Sequence, residues 1–370
     1  CLVGSEMCIR DRSYLASLIC DHKQTELNGS SEFAAMWRTK SLRAKLDRLD
    51  YHGITLLAAA RNTLTKDLAD TCQQRRAMLA ATEALKQQAL QHLFRECQNA
   101  GVDKLILFKG TALAHTVYPQ PWYRPRSDAD CLVDPRDRAL VHQVLTDLGY
   151  QKHFAIEGRY VSYQSLYSKS LPGQSQMHID LHWRINNRQC LSQAYAVADL
   201  WAERQMISAH LPVPNNIDSL LIACLHRLGH HAQEERLTWL FDIHLLSCAL
   251  NDTEWQTLAN KAQQKSLCTI TLNALQHCRN LFGTPVPDAV LNALSLTDKE
   301  PSAIFTQRDL PEWRYFLADL NSMSSWKQKL GFLRETLVPS PAYIRTQMQT
   351  RTAFMGYLKR IWRGLKRVTS

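Results

Sequence analysis

The sequence predicts an α+β fold in which a small mixed β-sheet lies between an N-terminal helical segment and a C-terminal helical bundle. Three observations predict it. Apolar residues recur with a helical period over residues 33–100, short apolar runs alternate with helical patterns over 102–210, and nearly every pattern after residue 215 is helical. A chain of 370 residues is long enough to bury a sizeable core.

The N-terminal segment is predicted to be helical throughout. Thr65 is a candidate N-cap for a long helix that runs to about Asn99, and Gly101 follows as a stop signal. We expect this segment to pack against the sheet. The first twelve residues match no fold element and lack the apolar core of a signal peptide, so they are treated as a non-native leader.

The middle of the chain alternates strands and helices. Leu105–Phe108 is an apolar run that leads into a glycine turn and a helical stretch, and a second helix is predicted over Asp134–Leu148. The segment Phe154–Leu171 is expected to supply one or two strands, and Pro172-Gly173 to form a turn before a strand over 177–183. This order predicts a small mixed sheet.

Pro212-Val213-Pro214 is the expected boundary between the sheet and the bundle. The first bundle helices are predicted at Ile217–Leu228, Glu234–Leu250, Thr253–Gln264 and Leu267–Phe282. The expected organisation is a leader at 1–12, a helical segment at 13–100, the sheet core at 101–211, the bundle at 212–340 and a basic helical tail at 341–370.

Composition excludes several classes of protein. Hydrophobic residues make up 45% and charged residues 21% of the chain, as in ordinary globular proteins, and no apolar run reaches the ~18 residues that a transmembrane helix needs. The 11 cysteines form no C-x-x-C pair and are irregularly spaced. This favours reduced thiols in a cytoplasmic protein over a disulfide framework or a zinc ribbon.

The net charge of +10 is concentrated at the C-terminus, because residues 336–370 contain seven Lys or Arg and no acid. Within this tail Leu358, Ile361, Trp362 and Leu365 have helical spacing among basic residues. Such a helix suits weak contact with an anionic membrane surface or with RNA phosphates. The alternative is an ordinary C-terminal helix that docks its apolar stripe on the bundle.

Two acidic patterns are candidates for metal binding. Asp128 and Asp130 are two residues apart at the start of an apolar run, so on a strand they project to the same face. Asp180 lies on another predicted strand, with His178 and His182 on its face. Adjacent carboxylates at a strand end suit a Mg²⁺ ion that carries phosphates.

Four strings carry a resemblance to a known family: Leu107–Ala114 (LFKGTALA), Tyr118-Pro119, Arg124–Asp130 (RPRSDAD) and His178–Trp183 (HIDLHW). Together they resemble the uncharacterised bacterial nucleotidyltransferase family of the polymerase-β-like superfamily. The resemblance extends over about residues 33 to 365. Thr111 stands where serine is commoner, and the gap from Gly110 to Asp128 is longer than in compact members of the superfamily.

The resemblance implies a nucleotidyltransferase core and assigns roles to its residues. Gly110 and Thr111 occupy the turn that contacts the nucleotide phosphates, while Asp128, Asp130 and Asp180 bind divalent metals, Mg²⁺ or Mn²⁺. The implied reaction moves a nucleoside monophosphate from an NTP such as ATP to an acceptor, with release of pyrophosphate. In a two-metal mechanism the pair holds both ions and Asp180 holds the one nearer the acceptor hydroxyl.

Other residues are candidates for the nucleotide side of the site. Lys109 and Arg124 have the charge to neutralise phosphate, with a surface salt bridge as the alternative, and Ser127 adjoins the acidic pair. His226 and Asp242 are expected on helices that face the cleft, with helix capping or a buried polar contact as the alternative.

The histidines and the acceptor each allow more than one interpretation. His178 and His182 either join a metal site or orient an aspartate by hydrogen bonding. The H-x-x-x-H spacing of His226 and His230 invites a zinc interpretation, but Arg227 stands where a zincin has glutamate. The acceptor is a small metabolite, a sugar or antibiotic, a protein side chain or an RNA end. The alternatives to this enzyme are a toxin-like transferase acting on tRNA or protein and an inactive regulatory module. The oligomeric state is open too.

Overall fold

The predicted α+β class is confirmed by a computed structural model of the chain. It describes residues 12–20, 29–153, 159–229, 236–296, 300–307 and 310–369. A five-stranded mixed sheet lies in the middle of a largely helical chain. Residues 1–11 of the expected leader lie outside the described residues.

The N-terminal segment is helical, as predicted. Residues 12–17 are helical, and four helices follow: α1 (Gly29–Thr39), α2 (Leu42–His52), α3 (Thr55–Ala60) and α4 (Lys66–Asn99). Helix α4 begins directly after Thr65 and is followed by Gly101, which has a φ of 92°. Helix α2 ends at Gly53, where a Cβ atom would lie 3.1 Å from Thr238 Cβ. The missing side chain therefore lets this segment approach the bundle closely.

The sheet has the strand order β1-β2-β5-β4-β3. Its strands are β1 (Leu105–Phe108), β2 (Ala129–Val133), β3 (Gln151–Lys152), β4 (Gln164–Ser170) and β5 (Gln176–His182). Only β2 and β5 pair in parallel; the other neighbours are antiparallel. Because these two strands are parallel, their N-terminal ends lie on the same side of the sheet.

Helices and a second, small sheet connect this core. They are α5 (Lys109–Thr116), α6 (Arg138–Asp147), α7 (Gln189–Ser192), α8 (Val197–Ala202), β6 (Gln205–Ser208) and β7 (Leu211–Val213), with 3₁₀ turns at Pro121–Tyr123 and Pro172–Gln174. The expected boundary at Pro212-Val213-Pro214 thus begins inside a strand that pairs with β6. Of the region expected to give one or two strands, residues 154–158 lie outside the described part.

The rest of the described chain is helical. It contains α9 (Asn216–Gly229), α10 (Leu237–Cys248), α11 (Asp252–Gln264), α12 (Cys268–Phe282), α13 (Asp288–Ser295), α14 (Glu312–Ser322), α15 (Trp326–Leu337), α16 (Pro341–Met348) and α17 (Ala353–Thr369), with a 3₁₀ turn at Pro301–Thr306. One hydrophobic cluster joins Leu15, Ile106 and Leu240, so helical segment, sheet and bundle share a core.

Within the described ranges, every helix is too short or too polar to cross a bilayer. All nine cysteines of these ranges are free thiols.

The basic tail forms helix α17 and leaves much of its apolar side exposed. Phe354 is 71% exposed, and Leu358 and Trp362 are each more than half exposed. The helix therefore does not dock its whole apolar stripe on the bundle, which was the alternative expectation. Its other side does contact the chain, because Lys359 Nζ donates to the Met348 carbonyl at 2.9 Å.

We predict that the exposed side of α17 binds anionic membrane surfaces. The chain should co-sediment with vesicles that contain phosphatidylserine, and Phe354→Ser combined with Leu358→Ser should weaken this at least about tenfold, because both apolar side chains are lost from the interface. Vesicles of neutral phosphatidylcholine are the control. Equal pelleting of the native and substituted chains would reject membrane binding and leave RNA as the alternative.

Candidate active site

The parallel pairing of β2 and β5 places two acidic residues side by side. In this register Asp130 lies opposite Asp180, so both side chains leave the same face of the sheet. Strand β2 is buried along its whole length, with Cys131 in one core cluster and Leu132 in the other. Both residues are buried, so their carboxylates must find most of their partners inside the protein.

Two side chains from neighbouring strand ends supply those partners. Lys109 Nζ lies 2.8 Å from Asp130 Oδ1, and His182 Nε2 lies 2.9 Å from the same oxygen. His182 Nε2 also lies 3.2 Å from Asp180 Oδ2, to which Gln164 Nε2 donates at 2.8 Å. His182 therefore bridges the two carboxylates.

The charges in this cluster shift its pKa values. Burial raises the pKa of Asp130, but the charge of Lys109 and the hydrogen bond from His182 outweigh it and hold the pKa well below its usual range. Burial lowers the pKa of His182, yet the charge of Asp180 and its hydrogen bonds leave that pKa raised. For Asp128, burial and the charges of Asp130 and Asp180 all raise the pKa.

The donor set of this cluster fits a divalent cation. One ligand atom each from Asp130, Asp180 and His182 lies within 4.8 Å of the others. Asp180 Oδ1 is buried and has no hydrogen-bond partner in the described part of the chain. Carboxylate oxygens are what Mg²⁺ and Mn²⁺ prefer, whereas His182 already contacts both carboxylates. That arrangement favours the interpretation in which histidine orients an aspartate.

Asp128 lies one residue before β2 and is not part of the compact group. It is half-buried and close enough to Asp130 and Asp180 for their charges to raise its pKa. His178, two residues before Asp180, also lies outside that group. The structure thus places Asp130 and Asp180 next to each other and leaves Asp128 just outside their group.

The predicted phosphate turn has an unusual backbone. Lys109 adopts a φ of 53°, which is uncommon for a residue with a side chain. At Gly110 a Cβ atom would lie only 2.6 Å from Arg124 Nη1, so glycine is required for the guanidinium to lie there. The Thr111 hydroxyl donates to the Asp128 carbonyl at 3.1 Å and accepts from Arg126 Nε at 3.0 Å. Thr111 therefore fixes the loop that carries Asp128.

Arg124 forms a buried ion pair with the bundle and not the surface salt bridge that was the alternative. Its Nη2 lies 2.7 Å from Asp242 Oδ2, and its Nε donates to Asp242 Oδ1 at 3.2 Å. The Tyr118 hydroxyl donates to the same carboxylate at 2.7 Å. Asp242 therefore positions Arg124, although the two residues are 118 apart in the sequence.

A narrow crevice lies between the turn and the bundle. Five of the predicted nucleotide-side residues line it: Lys109, Gly110, Arg124, His226 and Asp242. Its volume of about 10 Å³ is room for roughly one water molecule, so nucleotide entry requires it to widen. Ser127 lies elsewhere, exposed beside Asp128. His230, the partner in the zinc interpretation, lies outside the described residues.

Sequence reasoning missed a second ionic cluster around Glu83. This residue of α4 is buried, ion-paired with Arg126 and 3.0 Å from His115 Nε2. Burial raises the pKa of Glu83, but the hydrogen bond from His115 and the charge of Arg126 outweigh it and leave the pKa lowered. A signal was present in the sequence, because Glu83 has helical spacing to Leu79 and Leu90 on the apolar stripe.

A family model for uncharacterised nucleotidyltransferases matches residues 43–283, more than half of the chain. The chain belongs to this family. The resemblance seen in the four sequence strings is thereby confirmed. The match covers the sheet, the acidic pair and the bundle helices that carry His226 and Asp242. Among curated proteins, none matches the chain significantly.

In this nucleotidyltransferase family member we predict that Glu83 stabilises the fold in a pH-dependent way. Glu83→Gln leaves Arg126 buried without a counter-charge and should cost about 3 kcal/mol in urea unfolding at pH 7. A carboxyl with a lowered folded pKa stabilises the fold above its unfolded pKa of about 4.3 and loses this as pH falls through the folded value. The difference between native and variant should therefore shrink below about pH 4.

The control for this prediction is Glu96→Gln. Glu96 lies on the same helix and pairs with Arg95, but its side chain is far more exposed. Its loss should cost less than about 1 kcal/mol. Equal effects of the two substitutions, or a Glu83→Gln effect that does not change with pH, would contradict the role given to the buried cluster.

Proposed function

We propose that this chain is a metal-dependent nucleotidyltransferase that moves a nucleoside monophosphate from an NTP to an acceptor. An acceptor oxygen, or another nucleophile, attacks the α-phosphorus of the NTP. The bond from the α-phosphorus to the bridging oxygen breaks, pyrophosphate leaves, and the acceptor's proton passes to solvent. The family match supports nucleotidyl transfer in general; the acceptor and the residue roles below are part of the proposal.

The observation that carries the proposal is the buried pair Asp130 and Asp180, held in register on parallel strands with Asp180 Oδ1 unpartnered among the described residues. A buried carboxylate oxygen without a donor is costly. A divalent cation offers this oxygen the partner it lacks. The pair therefore supports a site for Mg²⁺ or Mn²⁺.

Each side chain receives one role. Asp130 and Asp180 hold the cation, and Asp128 completes the set from the strand entrance. When bound, the cation neutralises triphosphate charge and lowers the pKa of the acceptor hydroxyl. His182 orients the two carboxylates. Lys109 and Arg124, together with the backbone of Gly110 and Thr111, receive the phosphates on the crevice side, where His226 and Asp242 complete the wall.

The free thiols indicate the compartment in which the reaction takes place. We place the reaction in the cytoplasm, where the nine free thiols of the described ranges stay reduced. Of the candidate acceptors, RNA and protein would make the chain a toxin-like transferase. A chain that binds NTP without turnover would instead act as a regulatory module.

We predict that Asp130→Asn and Asp180→Asn each reduce NTP turnover by at least ~10³-fold, because each removes an anionic ligand of the cation. Asp128→Asn should have the same effect, because Asp128 completes the set. The measurement is pyrophosphate release from each NTP with Mg²⁺, with and without cell extract divided into small and large molecules. Asp103→Asn is the control, since Asp103 is exposed just before β1.

The label from the NTP identifies the acceptor class in the same assay. Turnover that depends on the small-molecule fraction indicates a metabolite, and label retained on macromolecules indicates the toxin-like alternative. Wild-type turnover in Asp130→Asn, with melting temperatures unchanged, would reject the mechanism. Mg²⁺-dependent NTP binding without pyrophosphate release from any fraction would favour the regulatory module.

A further inference from the structure

A second, much larger cavity shares Arg124 with the crevice as a wall residue. Its volume is about 450 Å³, within the range of small-molecule sites. Its walls come from the start of α3, from α4 and from the loop that leads to Asp128. The lining combines apolar side chains, among them Leu56, Met78 and Leu79, with polar ones such as Thr82, Lys86 and Arg126.

Most cations that line this cavity are already neutralised. Arg75 lies 2.9 Å from Asp50, Arg124 pairs with Asp242, and Arg126 pairs with Glu83. Lys86 differs, because no described residue forms a hydrogen bond or an ion pair with it. It is half-buried, and a partly desolvated ammonium without a partner favours a bound anion.

A second donor in the wall lacks an acceptor. The indole Nε1 of Trp122 is buried and has no hydrogen-bond partner among the described residues. An indole N–H is a donor only, so Trp122 and Lys86 offer donors alone. The cavity is therefore matched to a ligand that carries acceptor oxygens.

The cavity wall is joined to Asp128 by two hydrogen bonds. Arg126 lines the cavity and donates from Nε to the Thr111 hydroxyl at 3.0 Å, and that hydroxyl donates to the Asp128 carbonyl at 3.1 Å. Arg124 lines both the cavity and the crevice. The two spaces thus share a wall residue next to the loop that carries Asp128, and the proposed phosphate-binding residues Lys109 and Gly110 line only the crevice.

We propose that the cavity is the acceptor site and takes a small molecule with a compact apolar or aromatic part and a phosphate or carboxylate that Lys86 receives. The inference rests on the proposed function, because it assumes that the nucleotide enters on the crevice side. A space of about 450 Å³ is within the range of sites that enclose a whole metabolite. Among the possible acceptors this volume favours a small molecule, and label retained on macromolecules in the turnover assay would instead indicate a protein side chain or an RNA end.

The test uses phenyl phosphate as the probe, titrated into the full chain by calorimetry without NTP. Lys86→Met keeps the apolar stem and removes the charge, so affinity should fall at least about tenfold, as expected for the loss of a charged hydrogen bond. Lys66→Met is the matched control on the same helix, exposed and outside the cavity, and should bind like the native chain. Benzoate in place of phenyl phosphate separates carboxylate from phosphate ligands.

A second variant fills the cavity without touching a charge. Thr82→Trp places an indole in the space and should abolish probe binding, and ATP with Mg²⁺ should not displace the probe from the native chain. The proposal is overturned if neither probe binds the native chain, if Lys86→Met binds as tightly as Lys66→Met, or if ATP competes fully. Because the binding is measured without NTP, failure of the turnover assay leaves this result interpretable.

Discussion

The burial of two neighbouring carboxylates is the constraint on which the rest of the site depends. Asp130 and Asp180 face each other because β2 and β5 pair in parallel and in register. Two neighbouring buried anions repel each other, and desolvation alone would drive both carboxylates toward the neutral form. Lys109, the first residue of α5, and His182, the last residue of β5, offset this repulsion. A bound divalent metal ion would therefore share the two carboxylates with Lys109 and His182.

The loop between α5 and β2 is held from two sides. On one side Arg126 reaches Glu83 of the long N-terminal helix, and on the other Arg124 reaches Asp242 of the bundle. Both ion pairs are buried, so removing one partner of either leaves an uncompensated charge. The helical segments are therefore parts of the site, since they fix the loop that carries Asp128.

Arg124 also separates two roles in the proposed site. It lines both the narrow crevice and the large cavity, whereas Asp242 lines only the crevice. In an in-line displacement the acceptor oxygen attacks the α-phosphorus from the side opposite the leaving pyrophosphate. Separate spaces for the nucleotide and the acceptor suit that geometry.

The sequence by itself determined the fold class, the order of elements and the central acids. The sequence predicted a helix that starts after Thr65 and runs to about Asn99, as α4 does, and alternation along β5 put Asp180 and His182 on one face. Such patterns report neighbours two to four residues apart, because they reflect the repeat of a single strand or helix.

Only the tertiary structure decided which distant groups meet. Asp242 lies 118 residues from its partner Arg124, and no local pattern encodes that pairing. His182, and not Asp128, became the third member of the compact group because strand pairing brings its ring between Asp130 and Asp180. The cavity at Lys86 lies between α3, α4 and the loop. Its shape depends on how side chains from separate elements pack together, which the periodicity of one element cannot describe.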